Sequence, residues 1–179
     1  MRVFTAVTFE ASTVRYLQSA SESISSIYEH AKLTRSENFH LTIVFIGEAN
    51  RDKVNSIISA AKETAMEMKA FNAITDGISS FRKRNSHTVY CRIKESEQLL
   101  ELHDKMMENL RGKGIALENV KYKPHVTLAR QAGLMGNRSE LRLPFHTFEV
   151  NNICVMESSR INGILTYAPL VKFKLGEMQ

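Results

Sequence analysis

The chain has 179 residues, 43% hydrophobic and 24% charged, with only 8 Gly and 3 Pro, a composition that fits one compact domain over residues 1–179 and excludes repeat arrays, collagen and disorder. Its 24 Lys and Arg against 19 Asp and Glu leave a net charge of +5, which suits a polyanionic partner if the excess gathers on one face. No run approaches the ~18 apolar residues of a membrane-spanning helix, and residues 1–7 lack the apolar core and cleavage site of a signal peptide, so a cytoplasmic protein without membrane association is expected; a monomer is the expectation for its assembly, independently of these features.

In residues 2–9, Val3, Thr5, Val7 and Phe9 alternate with Phe4, Ala6 and Thr8, which reads as a strand buried on both faces. Apolar positions at Val14, Leu17, Ile24, Ile27, Tyr28 and Ala31 predict an amphipathic helix over 12–31. Residues 39–47 are β-branched and aromatic and close on Gly47, the clearest strand signal in the chain. Val54, Ile57, Ile58, Ala61, Ala65 and Met68 predict a second helix with Asn50 as its N-cap.

A strand over 71–78 follows. The basic segment Arg82-Lys83-Arg84 then separates it from a strand over 87–93, and reads either as a solvated turn or, with Phe81, Lys121 and Lys123, as a guide for an RNA backbone. Leu99, Leu102, Met106 and Leu110 mark a third helix, capped by Ser96 and ending at Gly112 or Gly114. Pro124 leads into a short strand over 125–130, followed by a loop to Pro144. Residues 145–156 and 164–175 read as two strands, the second entered through the hairpin-forming Asn162-Gly163. Cys91 and Cys154 lie in apolar, β-branched runs without a C-x-x-C, as buried free thiols of a reducing compartment do.

Sliding the chain on itself aligns residues 3–7 with 89–93, then helix with helix, then His40-Leu41-Thr42 with His125-Val126-Thr127. Six His and 11 Thr in 179 residues give an expectation of roughly 0.4 H-x-T triplets by chance, and here two open matched strands. Residues i and i+2 of a strand share a face about 6.7 Å apart, so each His and its Thr look into one cleft while Leu41, Ile43, Val126 and Leu128 pack behind. Two imidazoles facing each other across a groove, each beside a hydroxyl, suit acid–base chemistry on a phosphate. One must be neutral to accept a proton and the other protonated to give one, and an ordinary imidazole pKa near 6.5 allows both states at neutrality.

These motifs resemble the two-histidine (2H) phosphoesterase superfamily, above all its RNA 2′,3′-cyclic phosphodiesterase, or 2′-5′ RNA ligase-like, branch. The resemblance is carried by residues 2–6, 37–48 and 124–130, and loosely by Met156-Glu157-Ser158. It implies an α+β fold of two pseudo-symmetric lobes, each an antiparallel-rich sheet with helices outside, around a cleft that carries the two H-x-T-x motifs. It further implies that His40 donates a proton to the leaving 3′ oxygen, that His125 activates water, that Thr42 and Thr127 grip the phosphate, and that the product is a 2′-phosphate made without metal or cofactor. Arg130 matches the family's arginine after the second motif, although strict alternation turns it away from His125. The family often carries Trp ahead of the first motif and on the strand matching residues 88–93; this chain has none and offers Leu33 and Tyr90, a difference that bears on base stacking and substrate preference.

Zinc is not expected, because neither motif supplies a helical His pair, clustered Cys or a placed carboxylate ligand. Gly112-Lys113-Gly114 follows a helix and lacks the spacing of a phosphate-binding loop, which argues against an ATP-dependent ligase. Two other uses of the same histidines remain in view: 2′-5′ ligation or cleavage of 2′-5′ oligonucleotides, and a non-catalytic module that binds RNA ends. The remaining histidines, His30, His87, His103 and His146, have no Thr two residues on and read as surface or strand-entry residues.

Overall fold

The computed structural model describes residues 1–83, 85–134 and 143–177. Its strands are β1 Arg2–Val7, β2 Tyr28–Glu29, β3 Lys32–Leu33, β4 Leu41–Glu48, β5 Phe71–Lys83, β6 Ser86–Ile93, β7 His125–Leu134, β8 Thr147–Val150, β9 Asn152–Ile161 and β10 Ile164–Lys174. The helices are α1 Ala11–Ser23, α2 Arg51–Glu67 and α3 Glu97–Gly112. The strands form two antiparallel sheets, one ordered β10-β9-β1-β4 and the other β2-β7-β6-β5-β8, with β3 also paired to β7.

The sheet orders carry the internal duplication. β4, β1, β9 and β10 of the first sheet correspond to β7, β6, β5 and β8 of the second. In the ladders Ala6 lies opposite Thr42 and Tyr90 opposite Thr127, so Ala6 corresponds to Tyr90 and Thr5 to Val89. The alignment of residues 3–7 with 89–93 is therefore two residues out of step. A slip of two leaves every side chain on its own face, so the apolar pattern could not register it.

The helices cross between the units. α1 lies between β1 and β4 in sequence but packs on the second sheet: the Ser21 hydroxyl donates to the Leu128 carbonyl at 3.0 Å, and the Tyr16 hydroxyl meets that of Thr75 at 3.1 Å. α3, between β6 and β7, packs on β4 and on α2, where Asn109 Nδ2 donates to Thr64 Oγ1 at 3.0 Å. The cores of both sheets and all three helices then merge into one buried cluster that includes Leu17, Leu41, Ile57, Leu102, Leu128 and Ile153.

Several boundaries differ from the sequence reading. The helix expected over 12–31 ends at Ser23, followed by a 3-10 turn at Ile24–Ser26. Here Ser23, Ser25 and Ser26 turn their hydroxyls onto carbonyls three residues back, at 2.7–2.9 Å, competing with the helical ladder. Tyr28 and Glu29 then pair with β7. That pairing, with β6 on the other side, carries β7 past Arg130 to Leu134 through Gln131 at φ 55°; of the loop expected up to Pro144, residues 135–142 lie outside the described residues. β5 runs to Lys83, so Arg82 and Lys83 belong to the arm of a hairpin, while Arg84 lies outside the described residues.

Asn50 and Ser96 cap their helices, accepting from Lys53 N at 2.9 Å and Leu99 N at 3.3 Å. α3 ends on Gly114 at φ 76°, with Ile115 N bonded to Leu110 O at 3.1 Å, which only a residue free to adopt the left-handed conformation allows without strain. Asn162 and Gly163, at φ 50° and 78°, make the tight turn between β9 and β10.

The strand expected over 145–156 is two strands on different sheets: β8 pairs β5, and β9 pairs β1 and β10. Asn152 holds the crossing. Its buried amide accepts from Thr8 N at 3.1 Å and Thr8 Oγ1 at 2.9 Å, and donates to Thr8 O and Asn151 Oδ1, both at 2.9 Å. Asn152→Ala strands the amide and carbonyl of Thr8 and is expected to cost about 2–3 kcal/mol in a denaturant melt; a loss below about 0.5 kcal/mol contradicts this role.

Candidate active site

The concave faces of the sheets enclose a groove of about 860 Å³, lined by His40, Thr42, His125, Thr127 and Arg130 together with Arg2, Phe4, Phe45, Phe81, Arg82, Thr88, Ser158, Ser159, Arg160, Leu165 and Tyr167. Among the described residues no carboxylate lines it. The five residues singled out from the sequence therefore meet in one space.

Each histidine stands at the mouth of its motif strand and is held in the same way. His40 Nδ1 lies 2.8 Å from the carbonyl oxygen of Asn38, and His125 Nδ1 lies 2.7 Å from that of Lys123. A carbonyl oxygen only accepts, so Nδ1–H donates in both, and Nε2 is left as the nitrogen that can take or give a proton. Asn38 is itself locked: its Nδ2 donates to Leu165 O at 2.9 Å and its Oδ1 accepts from Tyr167 N at 3.1 Å, tying the first motif to β10.

The rings are also packed. His40 sits 4.9 Å from both Phe4 and Tyr167. His125 sits 5.1 Å from Tyr90 and 5.5 Å from Phe81. This desolvation lowers the His40 pKa from 6.5 to about 4, opposed by the Asn38 hydrogen bond and reinforced by the positive charge of Arg130 and, when it is protonated, of His125. His125 is lowered for the same leading reason, with Arg130 adding to it. Both imidazoles of the free protein are thus neutral at neutrality, where the sequence reading left one of them free to be charged.

Arg130 reaches the groove through a β-bulge. Val89 pairs with Ala129 but Tyr90 with Thr127, so Leu128 is the extra residue, and Leu128 and Ala129 both point into the core. Alternation resumes one step later and returns Arg130 to the side of His125. β4 has the same bulge: Thr5 pairs with Val44 and Ala6 with Thr42, Ile43 and Val44 are both buried, and Phe45 emerges on the cleft side. Phe45 therefore occupies in the first motif the position that Arg130 occupies in the second.

The aromatic surface also departs from expectation. Tyr90 lies behind Phe81, stacked at 4.3 Å, and Leu33 does not line the groove. The aromatic faces open to solvent at the groove are Phe45, 53% exposed with the Arg2 guanidinium 5.0 Å above its ring, and Phe81, 37% exposed. Sequence reading missed Phe45 because strict alternation puts it on the core face with Leu41 and Ile43, and only the bulge turns it out. Arg160 and Tyr167 arrive from β9 and β10, which no local pattern tied to the motifs.

Of the other histidines, His146 meets the Thr13 hydroxyl at 3.0 Å, His103 stacks on Tyr122 at 4.4 Å and His87 meets the Ser80 hydroxyl at 3.2 Å, all outside the groove. Among the described residues no three His, Cys, Asp or Glu side chains gather as a metal site, and no helix is long and apolar enough to cross a membrane.

Residues 13–162 match the family model of the 2′-5′ RNA ligase superfamily. The chain belongs to that superfamily, the 2H phosphoesterases. Among curated relatives it is 24% identical over 131 residues to a Thermotoga maritima protein named RNA 2′,3′-cyclic phosphodiesterase, covering 73% of this chain and 70% of the relative. A Bacillus subtilis protein of the same name is 25% identical over 143 residues, covering 77% of each. The fold superposes on the crystal structure of TT0787 of Thermus thermophilus with a TM-score of 0.80, at 21% identity and 100% coverage of both chains. It superposes on Escherichia coli LigT, solved apo and with 3′-AMP, with a TM-score of 0.77, at 20% identity and 98% coverage of both. Membership makes the chain an enzyme of the phosphoesterase class.

A histidine buried neutral makes folding stability depend on pH. Because the His40 pKa is about 4 folded against 6.5 unfolded, its contribution is complete above pH 6.5 and is lost as pH falls towards 4. The loss is on the order of 3 kcal/mol. Thermal melts are expected to fall over that window and to flatten in His40→Gln; identical curves for both proteins contradict the desolvated neutral ring.

Proposed function

We propose that the protein hydrolyses 2′,3′-cyclic phosphate ends of RNA to 2′-phosphates by metal-independent acid–base catalysis, with His125 as base and His40 as acid. The observation that supports this most directly is the matched pair of Nδ1–H donors on carbonyls, at 2.8 and 2.7 Å, which leaves two Nε2 atoms as proton carriers in one groove. His125 Nε2 takes a proton from water as its oxygen attacks phosphorus; the P–O3′ bond breaks and His40 Nε2–H protonates O3′. Thr42 and Thr127 hydrogen-bond the non-bridging oxygens, and Arg130 offsets the charge that builds on them. Exposed Phe45 and Phe81 offer stacking faces for the base. The two buried, unpaired cysteines, with Cys91 pushed up to about 12 by burial, suit a reducing, cytoplasmic setting.

The bound phosphodiester supplies the negative charge that the groove itself lacks. A cyclic phosphate anion favours imidazolium, so substrate raises both histidines and lets His40 hold its proton. Free enzyme governs kcat/KM and the complex governs kcat. The expected kcat/KM profile is therefore a bell centred below pH 6.5, with the kcat optimum displaced upward; a kcat/KM optimum above pH 7.5 contradicts it.

The assay that tests the assignment incubates EDTA-treated protein with a short RNA ending in a 2′,3′-cyclic phosphate and resolves 2′- from 3′-phosphate products. Wild type should make the 2′-phosphate, with His40→Ala and His125→Ala each lower by about 10²–10⁴-fold while folding normally. A 3′-phosphate product, or near-wild-type turnover in either variant, rejects the roles assigned to the two histidines.

A further inference from the structure

The groove has two exits of different chemistry. On the His40 side it opens into a cavity of about 310 Å³ that shares His40, Arg130 and Arg160 with the groove and adds Lys32 and Arg35 on its rim, with no Asp or Glu among the described residues of its lining. The fold sets where these cations start, and of them, among the described residues, only Arg160 has its head group held by a hydrogen bond. Lys32 is the ladder partner of Arg130, and Arg160 Nη1 donates to Gly163 O at 2.9 Å across the β9–β10 turn. Arg35 pairs loosely with Glu37, 3.8 Å away on the exposed rim. On the His125 side a second cavity, about 890 Å³, is floored by Phe45, Phe81 and Met107 and carries Glu118 beside Lys121 and Lys123. The charged side chains that line the first exit are all cationic, set beside the exposed apolar Leu33 and Ile164; the second is largely apolar with mixed charge.

Stereochemistry assigns a direction to these exits. In-line displacement places His125, water, phosphorus, O3′ and His40 in that order. O3′ is borne by C3′, whose neighbour C4′ carries C5′ and, through O5′, the 5′-linked phosphate; the base hangs from C1′, next to C2′ and the retained O2′. The 5′ backbone therefore leaves towards His40 and the base falls towards Phe45 and Phe81. Resting on the function proposed above, we infer that the cavity rimmed by Lys32, Arg35 and Arg160 is a subsite for the phosphate 5′ to the terminal nucleotide, so that the enzyme is selective for oligonucleotide ends over cyclic mononucleotides.

The test compares kcat/KM for adenosine 2′,3′-cyclic phosphate, for a dinucleotide with the same cyclic end, and for that dinucleotide with its linkage replaced by an uncharged methylphosphonate. The dinucleotide should be preferred by about tenfold at about 50 mM salt, the preference shrinking at about 200 mM, and the methylphosphonate should fall to the level of the mononucleotide. The double variant Lys32→Ala, Arg35→Ala, at two exposed positions, should bring the dinucleotide-to-mononucleotide ratio to about one. Equal turnover of all three substrates by wild type overturns the inference while leaving the cyclic phosphodiesterase reading intact. So does a preference that survives the double variant but is lost in Lys121→Ala, which would send the backbone out by the other exit. No turnover of any substrate overturns the reading of the site, and this inference with it.

Discussion

The arrangement of the cleft depends on a β-bulge in each motif strand. In a regular strand, His40, Thr42 and Val44 would share one face, as would His125, Thr127 and Ala129, and each cleft-facing row would end on a small apolar side chain. The extra residue at Ile43 and at Leu128 turns two successive apolar side chains into the core and brings Phe45 and Arg130 out beside the hydroxyls. A bulge also sharpens local twist, which suits strands that must curl around a concave site. Because both units carry it at the same place, the cleft is symmetric in geometry while its two ends differ in chemistry: an aromatic face at one, a guanidinium at the other.

Charge is distributed with the same economy. Four arginines line the groove and, among the described residues, no carboxylate does, so the field inside it is positive. The imidazoles answer by staying neutral, held there by desolvation among Phe4, Tyr167, Tyr90 and Phe81. An arriving phosphodiester is attracted by that field, and its own charge draws a proton onto the rings. The hydrogen bonds that fix the tautomers run to backbone carbonyls of Asn38 and Lys123, groups that cannot titrate and that mutation alters only indirectly.

Much of this was legible in the sequence, and the gaps have physical causes. The H-x-T repeat and the strand-helix-strand duplication were visible because they are local and periodic. The strand match slipped by two because period-two patterning is blind to such a shift. Arg130 looked misdirected because a bulge leaves no mark beyond two adjacent apolar residues, which Leu128 and Ala129 also supply in a plain buried strand. The first helix was extended too far because Ile24, Ile27 and Tyr28 keep helical spacing while the serine hydroxyls between them bond the backbone. The split at Asn151-Asn152 lay beyond reach, since which sheet a strand joins is decided by partners distant in sequence, here Phe71–Ile74 for β8 and Arg2–Ala6 for β9.

The crossing of the helices bears on how such a molecule can be divided. Each strand-helix-strand unit places its helix on the other unit's sheet, so a unit alone would expose the apolar face of its own strands and carry a helix with nothing beneath it. Two separate copies could remedy this by trading helices, which is the geometry of a domain-swapped dimer. The groove in that assembly would lie on a true twofold axis, with two identical H-x-T strands facing across it. Joining the copies in one polypeptide frees each end of the groove to change on its own, and the pairing of Phe45 with Arg130 at equivalent positions is what that freedom permits.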